Sequence, residues 1–223
     1  NVRTKLILVN SPSNPTGAVF DRSILEEIRD LACDHDLSVI SDEIYEKIIY
    51  EKEHISIGSL TGMEDRTVTI NGFSKTYAMT GWRLGYLTGP NDTIKWVTRL
   101  LSHSVSQATT FVQRAGIAAL SGPQTEVRLM VEEFRARRNL LVSGLRNLGI
   151  PCTMPDGAFY VFPEVSEFGG GDAFTERLLE DALIAVTPGS AFGPSGTNYV
   201  RFSYAISQVR LREALERIKK IIE

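Results

Sequence analysis

Four short apolar runs restrict the fold of this chain more than any other feature: KLILVN (5–10), LSVI (37–40), TVTI (67–70) and LGYL (84–87). Each is rich in β-branched or aliphatic residues and too short to be a buried helix, so each reads as a strand. The first ends in the Pro- and Gly-punctuated SPSNPTG, the pattern of a buried strand followed by a loop. After Asp21, in an N-cap position, Ile24, Leu25, Ile28, Leu31 and Ala32 recur at helical spacing up to about His35, which predicts one amphipathic helix. Strands separated by helix or loop predict an α/β fold with a mostly parallel, helix-covered sheet.

From about Asp92 the pattern turns helical, through DTIKWVTRLLSH and QATTFVQRAGIAAL to the long stretch QTEVRLMVEEFRARRNLLVSGLRNL. That stretch stops at Gly149 with Pro151 just beyond, a helix-ending signal, and a hinge is expected near or within it. Beyond it come strand-like AFYVF (158–162), a triple-glycine loop (169–171), a helix around Ala173 to Ala182, LIAV, NYVRFSY and a last helix with Leu211, Leu215, Ile218 and Ile222 on one face. Two domains are predicted: 1–122, carrying the sheet, and 123–223, a small α+β domain that includes the linking helix. The triple glycine lacks GxGxxG spacing after a strand and is a weak phosphate-loop signal.

Composition narrows the function classes. With 223 residues, 43% hydrophobic and 23% charged, the chain has material for a sizeable core and too few charges for disorder. A net charge of -3 and a pI of about 5.7 supply no basic footprint, which demotes nucleic acid and anionic membranes as partners. No apolar run approaches the roughly 18 residues of a membrane span. Cys33 and Cys152 lack CxxC spacing, and His35, His54 and His103 share no ligand spacing, so neither a disulfide framework nor a metal site is expected and a reducing cytoplasm fits. A chain opening on Asn1, directly before a strand, reads as part of something longer.

Polar segments follow the apolar runs: Asn14 in NPTG, Asp42 and Tyr45 in SDEIY, Ser74 and Lys75 in NGFSK, and Arg83 in GWR. In a sheet wound with helices, loops at the carboxyl ends of the strands converge on one crevice. An amide, a carboxylate, a phenol, an amine and a guanidinium are therefore expected to meet. A Ser-Lys hydrolase is set aside, because adjacent strand residues face opposite sides and Gly72 stands where SxxK needs serine.

The stretch GFSKTYAMTGWRLG (72–85) resembles the lysine-attachment signature of class I/II aminotransferases, the fold-type I pyridoxal phosphate enzymes. NPTG (14–17), DEIY (42–45), VTPGSAFGPSG (186–196) and YVRFSYA (199–205) match the same family in the same order, in its aspartate-aminotransferase-like branch. The resemblance implies part of a pyridoxal-phosphate-transferase large domain followed by a small domain. It implies transfer of an amino group between an amino acid, aspartate by default, and a 2-oxo acid. Lys75 would form the Schiff base and then, as a neutral amine of depressed pKa, shuttle a proton. Asp42 would hold the pyridine nitrogen protonated. Tyr45 and Asn14 would donate to the cofactor's phenolic oxygen, Arg83 with Ser74 would hold the phosphate, and Arg201 would clamp the substrate α-carboxylate beside Asn14.

The family's phosphate-binding turn, ring-stacking aromatic residue and partner-subunit tyrosine all precede NPTG and have no counterpart in this chain, so the chain alone is expected to hold an incomplete site. Gly72 stands where some relatives carry a phosphate-contacting serine, for which Ser74 compensates. Family active sites lie at a subunit interface, which implies a homodimer.

Without the resemblance, each residue has a plainer role. Asp42 and Glu43 would cap a helix start, Tyr45 would be a half-buried aromatic, Asn14 would stabilise the turn before Pro15, and Arg201 would pair with a carboxylate across the small sheet. Gly17, Gly81 and Gly85 would be backbone requirements, and Trp82 packing. Two other functions share the motifs: another fold-type I reaction, such as a β-lyase or a cyclopropane-forming synthase, and a non-catalytic aminotransferase-like regulatory module.

Overall fold

The computed structural model describes residues 1–222, which divide into two compact units. The first comprises Asn1–Pro12 and Val19–Arg128. In it, β1 (Leu6–Asn10), α1 (Arg22–Asp34), β2 (Ser38–Asp42), β3 (Thr67–Gly72) and β4 (Gly85–Thr88) precede two helices, α2 (Asn91–Ser104) and α3 (Thr110–Ser121). The strands pair in the order β1-β2-β3-β4, parallel as far as β3 and antiparallel at β4. Parallel neighbours need a crossover, and α1 supplies the one between β1 and β2. The register sets Asn10 opposite Asp42, Asp42 opposite Ile70 and Gly72 opposite Gly85. The carboxyl ends of β1, β2 and β3 and the start of β4 thus share one sheet edge.

The core of this unit lies on one face of the sheet, where Val9 and Val39 pack with Leu25 and Ala32 of α1 and with Ile57 and Met63. Burying Leu25 to 2% exposure is worth about 2 kcal/mol. On the opposite face of β1, Leu8 is 67% exposed among the described residues. Helix α1 shields only the Val9 side, and a strand presents alternate residues to each face. The helical stripe is also narrower than its spacing suggests, with Ile24 and Leu31 exposed at its borders. Asp21 occupies the N-cap of α1 without a side-chain cap bond and instead pairs with Lys52 at 3.0 Å.

The second unit comprises Ser13–Ala18 and the chain from Leu129 onward. The boundary falls inside α4 (Thr125–Asn147), and β5 (Tyr160–Val161), α5 (Gly171–Glu180), β6 (Thr187–Pro188), β7 (Val200–Ser203) and α6 (Gln208–Ile222) follow. Its sheet is antiparallel in the order β5-β7-β6. AFYVF contributes only two paired residues, and LIAV ends before β6 begins. The triple glycine follows a 3-10 turn and opens α5, with Gly169 and Gly170 at positive φ. Helix α4 ends as read, with Gly149 left-handed at φ +77° just beyond it. On α6, Leu211 and Ile218 are buried and Leu215 and Ile222 partly so, one face of the helix. Among the described residues no helix is long and apolar enough to cross a membrane.

Candidate active site

In the first unit the chemistry-bearing side chains sit on the shared sheet edge. Asp42 closes β2, and its Oδ1 accepts from the Ile44 N–H at 3.2 Å, which starts a turn rather than an α-helix. Tyr45 lies in that turn and is buried to 3% exposure. Lys75 Nζ stands 5.9 Å from the centre of the Tyr45 ring, so amine and phenol are neighbours.

Ser74 and Lys75 occupy a turn after β3, not a strand, so the opposite-face argument against a Ser-Lys pair does not apply to them. What holds that turn is Phe73, buried and packed against the rings of Tyr77 and Tyr86 at 5.6 and 5.8 Å. The Tyr77 hydroxyl adds a 3.1 Å bond to Gln124 Oε1. Burial, then the Glu46 charge, push the Tyr77 phenol above its ordinary pKa.

Arg83 precedes β4 at a left-handed φ of +54°, a conformation that costs a non-glycine residue about 1 kcal/mol. Two short bonds hold it: Arg83 Nη1 donates to the Thr80 carbonyl at 2.8 Å, and Thr80 Oγ1 donates to the Ser74 carbonyl at 3.0 Å. Ser74 and Arg83 are thereby tied together through Thr80. Arg83 is exposed, and with Trp82, Gly85, Leu101, Phe111 and Val112 it borders a cleft of about 980 Å³. Trp82 is 46% exposed there. Gly81 needs no backbone freedom, since its φ is not left-handed and an added Cβ would touch nothing within 4 Å.

The second unit carries Asn14 and Arg201. Arg201 lies on β7 between buried Val200 and Phe202, directly opposite Thr187 of β6. Its Nη1 donates to Asn14 Oδ1 at 2.7 Å and its Nη2 to Thr187 Oγ1 at 3.1 Å. The partners are an amide and a hydroxyl rather than a cross-sheet carboxylate. Two rings flank the guanidinium, Tyr160 at 4.5 Å and Phe192 at 5.0 Å. Its Nε is buried with no hydrogen-bond partner. A buried charged donor left unpaired is costly.

Asn14 is held from behind. Gly17 takes φ +70°, and a Cβ there would come within 2.5 Å of Pro155 Cβ. The Gly17 carbonyl accepts from the N–H groups of Asp156 and Gly157 at 3.0 and 2.8 Å. Buried Arg138 of α4 in turn donates to the Pro155 carbonyl at 2.9 Å. Arg201 occupies the side-chain carbonyl of Asn14.

Several residues around these sites escaped the sequence reading. Thr187, Tyr160 and Phe192 frame Arg201, and Glu43 forms a buried cluster with Ser41, His54 and Ser56. Burial alone would raise the Glu43 carboxyl, but hydrogen bonds from His54, Ser56 and Ser41, with the His54 charge, hold it below the usual range. The only signal was a glutamate directly after Asp42, which reads equally well as a helix cap.

The model of the family "Aminotransferase class I and II" matches residues 1–218 of this chain. The chain is 45% identical to an aspartate aminotransferase of Pyrococcus abyssi, over 99% of its own length and 58% of that protein's. Two solved structures superpose closely on it. One is an aromatic aminotransferase from Pyrococcus horikoshii, with a TM-score of 0.98 at 44% identity, over 100% of this chain and 61% of that one. The other is the aspartate aminotransferase of Thermus thermophilus with maleate, with a TM-score of 0.93 at 43% identity, over 99% and 58%. The chain thus spans about three fifths of the length of the proteins it matches.

Proposed function

The chain belongs to the class I and II aminotransferase family, and from that premise we propose that the protein carrying it moves an amino group from an amino acid to a 2-oxo acid with pyridoxal 5′-phosphate. The observation that carries this reading is the gathering of Asp42, Tyr45, Lys75, Ser74 and Arg83 on one edge of one sheet. That donor set suits a phosphorylated pyridine aldehyde: an amine for the aldehyde, a carboxylate for the ring nitrogen, a phenol for the ring oxygen, and a guanidinium with a hydroxyl for the phosphate.

When bound, the cofactor supplies an electrophilic carbon that takes up the amino group and a ring that accepts electron density from the substrate Cα. Lys75 would hold the cofactor through its Nζ and supply the base that moves the substrate Cα proton. The Asp42 carboxylate would favour a proton on the ring nitrogen, and Tyr45 would donate to the ring oxygen. Arg83, already oriented through Thr80 and Ser74, binds phosphate. In the second unit Arg201 would bind the substrate α-carboxylate, with Asn14 and Thr187 setting the angle of its guanidinium.

Arg201 reads the carboxylate common to all amino acids, so side-chain preference must come from other groups. Aspartate is the proposed donor, by analogy with the P. abyssi relative named above. A homodimer is proposed from the family's interfacial active sites. A cytoplasmic setting is proposed from two cysteines that are both free thiols.

The test is reconstitution of the full-length protein with pyridoxal phosphate, borohydride reduction and peptide mapping. A visible band lost in Lys75→Ala, with the reduced label on Lys75, is the expected result. Retention of the band in Lys75→Ala would remove the assignment. Steady-state assays pairing aspartate and aromatic amino acids with 2-oxo acids then rank substrates, and light scattering reads the oligomer.

A further inference from the structure

Glu43 is a buried carboxylate with no part in the chemistry above, yet it sits in the chain between Asp42 and Tyr45. Its side chain is 3% exposed. Ser41 Oγ and Ser56 Oγ each donate to Oε1 at 2.8 Å, and His54 Nε2 lies 2.8 Å from Oε2. Ser41 and Glu43 are two residues apart at the end of β2 and share a face, whereas Asp42 points to the other. The Glu43 backbone is pinned as well, its N–H to the Ile70 carbonyl and its carbonyl to the Glu46 N–H, both at 2.9 Å. The residue therefore joins three things: the end of the strand, the turn that carries Tyr45, and the 54–56 segment behind them.

We propose that Glu43, braced by His54 and Ser56, is a positioning residue that sets Asp42 and Tyr45 toward the cofactor. This rests on the reading that Asp42 and Tyr45 face pyridoxal phosphate. A carboxylate suits the task because it accepts several hydrogen bonds from different directions, and a burial this deep lets none of its partners wander. Small displacements at such a point matter, because Asp42 and Tyr45 act through directional bonds to a rigid ring. Glu43, Glu46 and His54 also bring donor atoms within 4.8 Å of one another, as a cation site would. Both Glu43 oxygens already accept hydrogen bonds from Ser41, Ser56 and His54, so the carboxylate is spent on bracing and works as a strut.

The experiment uses the full-length protein and three readouts: affinity for pyridoxal phosphate, the pH midpoint at which the bound cofactor's visible absorbance changes, and melting temperature. Glu43→Ala is expected to bind the cofactor about tenfold more weakly or worse, with a displaced midpoint, the scale of changes one layer behind a reactive group. Glu43→Gln keeps an oxygen for both serines and is expected to restore most of the affinity. If Glu43→Ala does not fold, Ser56→Ala and His54→Gln each remove one brace, and each is expected to weaken binding severalfold with a shifted midpoint. A folded Glu43→Ala, or both brace variants, with wild-type affinity and midpoint and only a lower melting temperature would overturn the strut. Wild-type protein that takes up no cofactor would instead overturn the parent reading, and the strut with it.

Discussion

Arg201 and Asn14 are 187 positions apart in the chain and meet through a 2.7 Å hydrogen bond from Nη1 to Oδ1. The bond holds a guanidinium flanked by two rings and turns the Asn14 amide oxygen toward it. On the reading that Arg201 binds the substrate α-carboxylate, the guanidinium is preorganised for it.

Replacing Arg201 by Lys keeps the charge but not the fork. The expected outcome is a fall of roughly 100-fold in kcat/KM for amino acids, or about 3 kcal/mol, mostly through KM. The spectrum of bound pyridoxal phosphate should stay as in wild type. Steady-state kinetics and an absorbance scan of the same preparation check both halves.

Asn14→Asp is predicted to be worse than Asn14→Ala. Alanine removes one orienting bond, worth about tenfold in kcat/KM, whereas aspartate would pair with Arg201 and compete with the substrate carboxylate. The asymmetry should appear as a larger KM for Asp than for Ala. A double-mutant cycle with Arg201 should be non-additive, since the two side chains share the bond.

Gly17→Ala places a methyl where Pro155 Cβ and the Gly157 carbonyl would stand at 2.5 and 2.9 Å, at φ +70°. Left-handed strain plus overpacking predicts a loss of about 2–4 kcal/mol in denaturant unfolding of the full-length protein. Because that loop carries Asn14, amino-acid KM should rise in the protein that still folds.

The Glu43 carboxyl titrates below its ordinary value in the folded protein. Its stabilisation is therefore complete above the ordinary glutamate pKa and is lost as pH falls through the lower, folded value. Glu43→Gln has no such proton to take up. The variant should lose less stability than wild type between neutral pH and the acid limb, measured as the pH dependence of melting temperature.

The comparison of sequence with structure divides along a physical line. Apolar runs and helical spacing placed β1 to β4, α1 and α6, because period 2 and period 3.6 are written along the chain itself. Asp42, Tyr45, Lys75 and Arg83 were legible as polar groups beside the apolar runs, but their proposed roles came from the resemblance of DEIY and GFSKTYAMTGWRLG to the aminotransferase signature. Tertiary structure decided what periodicity does not carry. A run such as KLILVN says that its residues are apolar, but only the path of α1 decides that Val9 is covered and Leu8 is not. Likewise nothing local in YVRFSYA names Asn14 or Thr187 as partners of Arg201, and nothing in DEIY names His54 or Ser56 as partners of Glu43. Hydrogen bonds have a reach of about 3 Å, so which residues share one is settled by where the folded backbone brings them, however far apart they are in sequence.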